Sequence, residues 1–209
     1  MRISQTVKHI IIINCIIFFG SSFFGNKYFF DTIFALHYPM NDSFQYWQIV
    51  THMFMHGGFF HLLVNMFALW MFGSSVEQVF GQRKFLFFYI SCGLWAAGLQ
   101  LLVYHWEIQS LFSVLETSGV SSLDISNMLT NGSYNTSLLQ FTDHESLESA
   151  YNVYNSSMIG ASGAIMGILV AFGMLNPNAE LMLILFPIPI KAKYFIPGII
   201  LFDLFSAIT

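Results

Sequence analysis

The chain has 209 residues, of which 56% are hydrophobic and only 9% charged, with a formal net charge of −4. Soluble domains carry about a quarter charged residues, so this composition excludes an ordinary soluble domain and describes a multispan membrane protein. The sequence contains no basic run of the kind that holds nucleic acid.

The first apolar stretch, Lys8–Phe24, follows Arg2 and carries Lys8 at its edge. No clear small-x-small cleavage site follows it, so it reads as a retained anchor rather than a signal peptide. Asn26–Thr51 mixes aromatic residues with Pro39, Asn41 and Asp42 and ends in Tyr46-Trp47, which suits an amphipathic element at the headgroup level. Further spans are expected at Phe59–Val79, Phe85–Trp106, Met158–Leu175 and Tyr194–Ile208. All but the last approach the ~17–25 residues that cross hydrocarbon. Cys15 and Cys92 fall inside different spans and read as small apolar core residues. Residues 107–157 form a polar insert, whose Gly119–Tyr154 portion is rich in Ser, Asn and Thr. Its weak periodicity predicts partial disorder. Leu181–Ile190 is apolar but too short to span, and Pro187 and Pro189 break it, so it is expected to be an interfacial connector.

With the N-terminus in the cytoplasm, Arg2, Lys8, Arg83, Lys84, Lys191 and Lys193 all fall inside and only Lys27 lies outside. That matches the positive-inside bias. The segment His105–Ser157 carries six acidic residues and no Lys or Arg, consistent with an external position.

Polar groups inside a bilayer are expensive and are functional candidates by default. His52, His56, His61 and Asn65 cross the entry to the second span, and His61 and Asn65, at i and i+4, share one helical face. A helix starting near Gly57 places them about 6 and 12 Å deep. Ser162, in Gly160-Ala161-Ser162-Gly163, falls about 6 Å into a span that begins at Met158. The three groups can therefore meet at one level. Peptide hydrolysis by serine needs a nucleophile and donors for the oxyanion. The Asn65 amide, the His61 ring N–H and the free backbone N–H of Ser162 in the first helical turn can supply the donors. Each feature also has a simpler meaning: Gly163-x-x-x-Gly167 serves ordinary helix packing, and a serine in a span bonds back to its own helix. His52 and His56 lack the following Glu and the third ligand of a zinc site, so neither metal nor cofactor is expected.

At these residues the sequence resembles the rhomboid family of intramembrane serine proteases. Trp47-Gln48 stands near the family's Trp-Arg pair, with Gln in place of Arg. The run from His52 through His56-Gly-Gly-Phe-Phe-His61 to Asn65 is similar to its His-rich second span, and Glu77 with Gly81 to its Glu-x-x-x-Gly element. Gly160-Ala161-Ser162-Gly163 matches its Gly-x-Ser-Gly motif. The resemblance implies an all-α membrane protein, a rhomboid-like helical bundle with five of an expected six spans. It implies an intramembrane serine endopeptidase that cleaves transmembrane segments of membrane proteins near the outer surface without a cofactor. By it Ser162 is the nucleophile, His61 and Asn65 serve the oxyanion, and Gly160, Gly163 and His56 shape the site. The partners implied are membrane-protein substrates with a transmembrane helix and the lipid bilayer. The location implied is a bacterial inner membrane with the N-terminus cytoplasmic.

In the family the general base is a His on a sixth span that packs on the glycine face of the serine's helix. No His follows His144 here, and Phe202-Asp203-Leu204-Phe205 resembles the segment that precedes that span. A non-catalytic relative, acting as a membrane-protein binding or quality-control module, is the alternative.

Overall fold

The computed structural model describes residues 3–23, 27–182 and 189–206. Arg2, the middle of the Leu181–Ile190 connector and the end of the last expected span lie outside the described residues. In chain order the elements begin with α1 (Gln5–Phe23), α2 (Lys27–Phe34), β1 (Leu36–His37) and α3 (Gln48–Thr51), the last followed by a 3₁₀ turn at His52–Phe54. Then come α4 (Phe59–Ala68), a π-helical turn (Leu69–Gly73), α5 (Ser74–Phe80) and α6 (Gln82–Thr117). After them follow α7 (Ser122–Asn131), a 3₁₀ turn (Thr136–Gln140), α8 (His144–Asn155), β2 (Ser157–Met158) and α9 (Ser162–Leu175). The series closes with β3 (Glu180–Met182), β4 (Pro189–Lys191) and α10 (Ala192–Ser206). Gln5–Phe23, Phe59–Phe80 and Gln82–Thr117 are long and apolar enough to cross a membrane, and α9 and α10 are shorter apolar helices. The protein is an all-α membrane bundle, and among the described residues the strands form two short antiparallel pairs.

Two compact units share the chain. The first takes α1 as far as Ile16, Gly58–Gly93 and the chain from Ser162 onward. Its buried residues include Val7, Leu69, Val76, Phe85, Tyr89 and Ile168. Helix α9 packs on α4, the π turn, α5 and α10, and the Phe72 and Phe172 rings meet edge to face with centroids 4.9 Å apart. At Gly167 α6 comes close: a Cβ placed there would lie 2.4 Å from Cys92 Sγ and 2.7 Å from Cys92 Cβ. Between membrane helices there is no hydrophobic drive to associate, so close backbone approach at small residues supplies the packing energy. The sequence reading left this glycine face for a sixth span, but at Gly167 it is occupied by α6.

Glu77 holds the start of α1. Its buried carboxylate accepts the backbone N–H groups of Thr6 (2.9 Å) and Val7 (3.0 Å) and the Ser4 hydroxyl. First-turn amides have no partner within their own helix, and here a carboxylate from α5 supplies one, on the favourable end of the helix dipole. Four residues on, Gly81 ends α5 at φ 75°, its N–H on the Glu77 carbonyl at 2.8 Å. Those two roles account for the Glu-x-x-x-Gly spacing.

In the second unit, Ile17–Gly57 and Leu94–Ala161, α6 decides the architecture. Its 36 residues rise about 54 Å, well beyond the ~30 Å of hydrocarbon. On its distal part, Ile108, Leu111 and Leu115 join Ile125, Met128 and Leu129 of α7 and Leu147, Ala150 and Tyr154 of α8 in one buried cluster with Tyr38 and Leu138. The insert is therefore ordered where the sequence reading expected partial disorder. Its apolar residues are few, but each short helix has them at three- and four-residue spacing, and the extended α6 offers a surface to bury them on. Local caps fix the helix starts: Ser121 Oγ accepts the Asp124 N–H at 3.2 Å, and Asp143 Oδ1 accepts the Ser146 N–H at 2.7 Å. Those Ser146 bonds hold the exposed Asp143 carboxyl below its usual range.

Gly167→Leu is expected to destabilise the protein by about 1–3 kcal/mol, the range for overpacking a tight contact, read as a lower Tm in detergent. Cys92→Gly, which removes both clashing atoms, should restore part of the loss in the double variant. Unchanged stability of Gly167→Leu would show that α6 and α9 do not touch there.

Candidate active site

The chain leads into α9 through a turn that only glycine tolerates. Gly160 adopts φ 125°, a conformation costly for any residue with a Cβ. Its N–H donates to the His52 carbonyl at 2.9 Å. Just before it, β2 pairs with β1, Leu36 opposite Met158 and His37 opposite Ser157. Ser162 is therefore the first residue of α9 and is exposed. The sequence reading had it four residues inside a helix from Met158. The difference arises because Ser157 and Met158 find strand partners and Gly160 turns the chain out of any helical path. The consequence is chemical: at the helix start, backbone N–H groups without intrahelical partners cluster around Ser162, at the positive end of the α9 dipole.

His61 and Asn65 lie one turn apart on α4, half-buried and buried respectively, and α4 and α9 pack against each other in the first unit. The Asn65 Nδ2 donates to the His61 carbonyl at 2.9 Å. A side-chain amide has two N–H donors, so this bond fixes the Asn65 rotamer and leaves the second donor for another acceptor. Gly163, the second residue of α9, is half-buried.

The remaining motif residues belong to the second unit. His56 is buried. Gln48, which stands where the motif has Arg, is fully buried and staples the segment before it. Its Nε2 donates to the carbonyls of Thr32 (3.0 Å) and Ser43 (2.9 Å), and its Oε1 accepts the N–H groups of Gln45 (3.0 Å) and His37 (3.3 Å). Trp47 Nε1 donates to the Ile33 carbonyl at 2.8 Å. Through its own carbonyl Gln48 takes the His52 Nδ1 proton at 2.9 Å, and the His52 carbonyl in turn holds Gly160. A neutral amide suits this place, because four carbonyl and amide partners are satisfied with no charge to bury. Sequence reasoning missed this chain of contacts: Gln48 stood in the motif, but its partners are backbone groups, which carry no residue signature.

A sequence model of the rhomboid domain matches residues 43–209. The chain belongs to the rhomboid family. It is 26% identical over 141 residues to the mitochondrial Rhomboid protein 1 of Saccharomyces cerevisiae, a match covering 68% of this chain and 28% of that protein. It is 36% identical over 50 residues to Rhomboid protease GluP of Bacillus subtilis, covering 24% of this chain and 10% of that one. With Rhomboid-like protease 3 of Toxoplasma gondii it shares 29% identity over 105 residues, 49% of this chain and 39% of that protein. The matches thus span well under half the length of these relatives, which divide between mitochondrial and other rhomboid proteins.

Burial lowers the pKa of the His52 ring below that of a free histidine, against the opposing pull of the Gln48 and Ile49 carbonyls. It lowers that of His37 in the same way, against the nearby Asp31. The fold thus favours neutral rings, while the unfolded chain gains protons below about pH 6.5. Stability from these groups is complete above that pH and is lost as the pH falls below it. The Tm should accordingly drop between pH 7.5 and 5.5, and the Gly160 amide should exchange faster with solvent. His52→Gln should flatten part of that slope; a Tm equally pH-dependent without His52 and His37 would assign the effect elsewhere.

Proposed function

We propose that this rhomboid-family protein carries the site of an intramembrane serine endopeptidase, with Ser162 as nucleophile. The observation that carries the reading is the placement of Ser162 at the N-terminus of α9, with α4, the helix that bears His61 and Asn65, packed on α9. In this reading the Ser162 oxygen attacks the scissile carbonyl of a transmembrane segment. The negative oxygen of the tetrahedral intermediate is met by the Ser162 N–H, the second Asn65 amide N–H and the His61 ring N–H. Donors fixed in advance act on charge that develops only in the transition state. Gly163, which follows Ser162 in α9, puts no side chain beside it. The relatives named as proteases support the reaction class, and the arrangement of basic residues supports a cytoplasmic N-terminus with the insert outside.

A serine hydroxyl is a weak nucleophile until a base takes its proton. In this reading the His61 ring is given, through its N–H, to the oxyanion rather than to the proton of Ser162. No histidine of residues 1–209 is assigned as the base.

Ser162→Ala should abolish both labelling by a fluorophosphonate probe and cleavage of a model transmembrane substrate by an active full-length form in liposomes. Asn65→Ala should lower turnover by about 10²–10³ with the fold intact, the usual loss for one oxyanion donor. Unchanged cleavage by Asn65→Ala would remove it from the oxyanion set. Residues 1–209 alone should neither label nor cleave. Ser162-dependent cleavage by them would make His61 the base. A full-length form that binds transmembrane helices without cleaving any would favour the non-catalytic binding module.

A further inference from the structure

The insert builds a groove with no place in the chemistry above. It runs between the distal part of α6 and α8 and has a volume of about 490 Å³. One wall is an α6 stripe containing Val103, Trp106, Ser110 and Val114, at helical spacing, and the other carries Thr142, just before α8, with Glu145 and Ser149 of α8. Glu107, also in the groove, accepts the Ser149 hydroxyl through one carboxylate oxygen, which leaves the other open. Trp106 is 76% exposed.

Two observations say what would fill it. The first is continuity: Trp95, Leu99 and Leu102 extend the exposed apolar stripe of α6 toward its start and lead directly to Trp106. From Gln82, the helix has risen about 36 Å by Trp106, close to the thickness of the hydrocarbon layer. A partner transmembrane helix laid along that stripe would deliver its juxtamembrane residues into the groove. The second is charge. Glu107 and Glu145 face the groove, Glu116 and Glu148 lie on the same insert, and no Lys or Arg occurs between Lys84 and Lys191 to balance them. An exposed indole face beside uncompensated carboxylates favours a cation, through the ring quadrupole and through Coulomb attraction.

We propose that the α6–α8 groove is a docking surface for a membrane-anchored partner helix bearing Lys or Arg within a turn or two of its membrane exit on the insert's side. If the proteolytic reading holds, such helices are its preferred substrates, and to that extent the proposal rests on it. Basic residues on the external side run against the usual bias, so the feature would select a minority of membrane proteins.

The test uses the full chain carrying Ser162→Ala in zwitterionic nanodiscs, with benzoylphenylalanine replacing Val114 as a photocrosslinker. The probes are 20-residue Leu/Ala transmembrane helices flanked at both ends by Lys pairs or by Glu pairs. The Lys-flanked helix should crosslink, less so at ~0.5 M salt. Combining Glu107→Gln, Glu145→Gln and Trp106→Ala should weaken its binding roughly five- to twentyfold. Glu145→Lys should shift preference toward the Glu-flanked helix, a gain that misfolding does not produce. Equal crosslinking of both probes without salt dependence, crosslinks only to lipid or to a second copy of the chain, or none at all would each overturn the proposal. Cleavage by an active Ser162 form is scored separately. Docking without cleavage sinks the protease reading alone, and cleavage without flank preference sinks the docking surface alone.

Discussion

The close approach of α6 to α9 at Gly167 is a constraint on the first unit that leaves no room for a side chain. A membrane gives helices no hydrophobic reason to associate, so their positions are set by where backbones can come nearest. Gly167 admits Cys92 at a separation that no residue with a Cβ could match. The rest of α9 packs on the π turn, α4, α5 and α10. The wide π turn lies where α9 packs, and Phe72, carried on it, meets Phe172. The position of Ser162 at the start of α9 then follows from the packing of the whole helix rather than from any contact of the serine itself.

The approach to that serine is governed by hydrogen bonds rather than by packing. Gln48 gathers the segment around Thr32 and Ser43, passes its carbonyl to His52, and His52 holds Gly160 in its left-handed conformation. Each link is a neutral donor on a neutral acceptor in buried surroundings, where an unmade bond would cost about 1–3 kcal/mol. An arginine at position 48 would bring a charge that these backbone carbonyls answer only in part. The Gln in the motif is thus accommodated by a network suited to an amide.

Helix α6 serves both units. Its first part carries Phe85, Tyr89 and Cys92 in the first, and its distal part serves as the template for α7 and α8 in the second. The distal part of that helix, which offers apolar residues to α7 and α8, explains how a segment so rich in Ser and Asn folds at all. The apolar area of α7 and α8 is too small for an independent core, but enough to cover one face of a preformed helix.

The sequence by itself determined the membrane class, the approximate positions of the long apolar helices, and the candidate residues Ser162, His61 and Asn65. Composition and polar residues inside apolar runs are local signals, and they survive without coordinates. The family motifs were legible for the same reason. Only the tertiary structure decided that Ser162 begins its helix, that Cys92 meets α9 at Gly167, that Glu77 caps α1, and that the insert is ordered. Each of these rests on a backbone group or a Cβ-free surface meeting a partner far away in the chain, and backbone amides and missing side chains look alike at every position of a sequence.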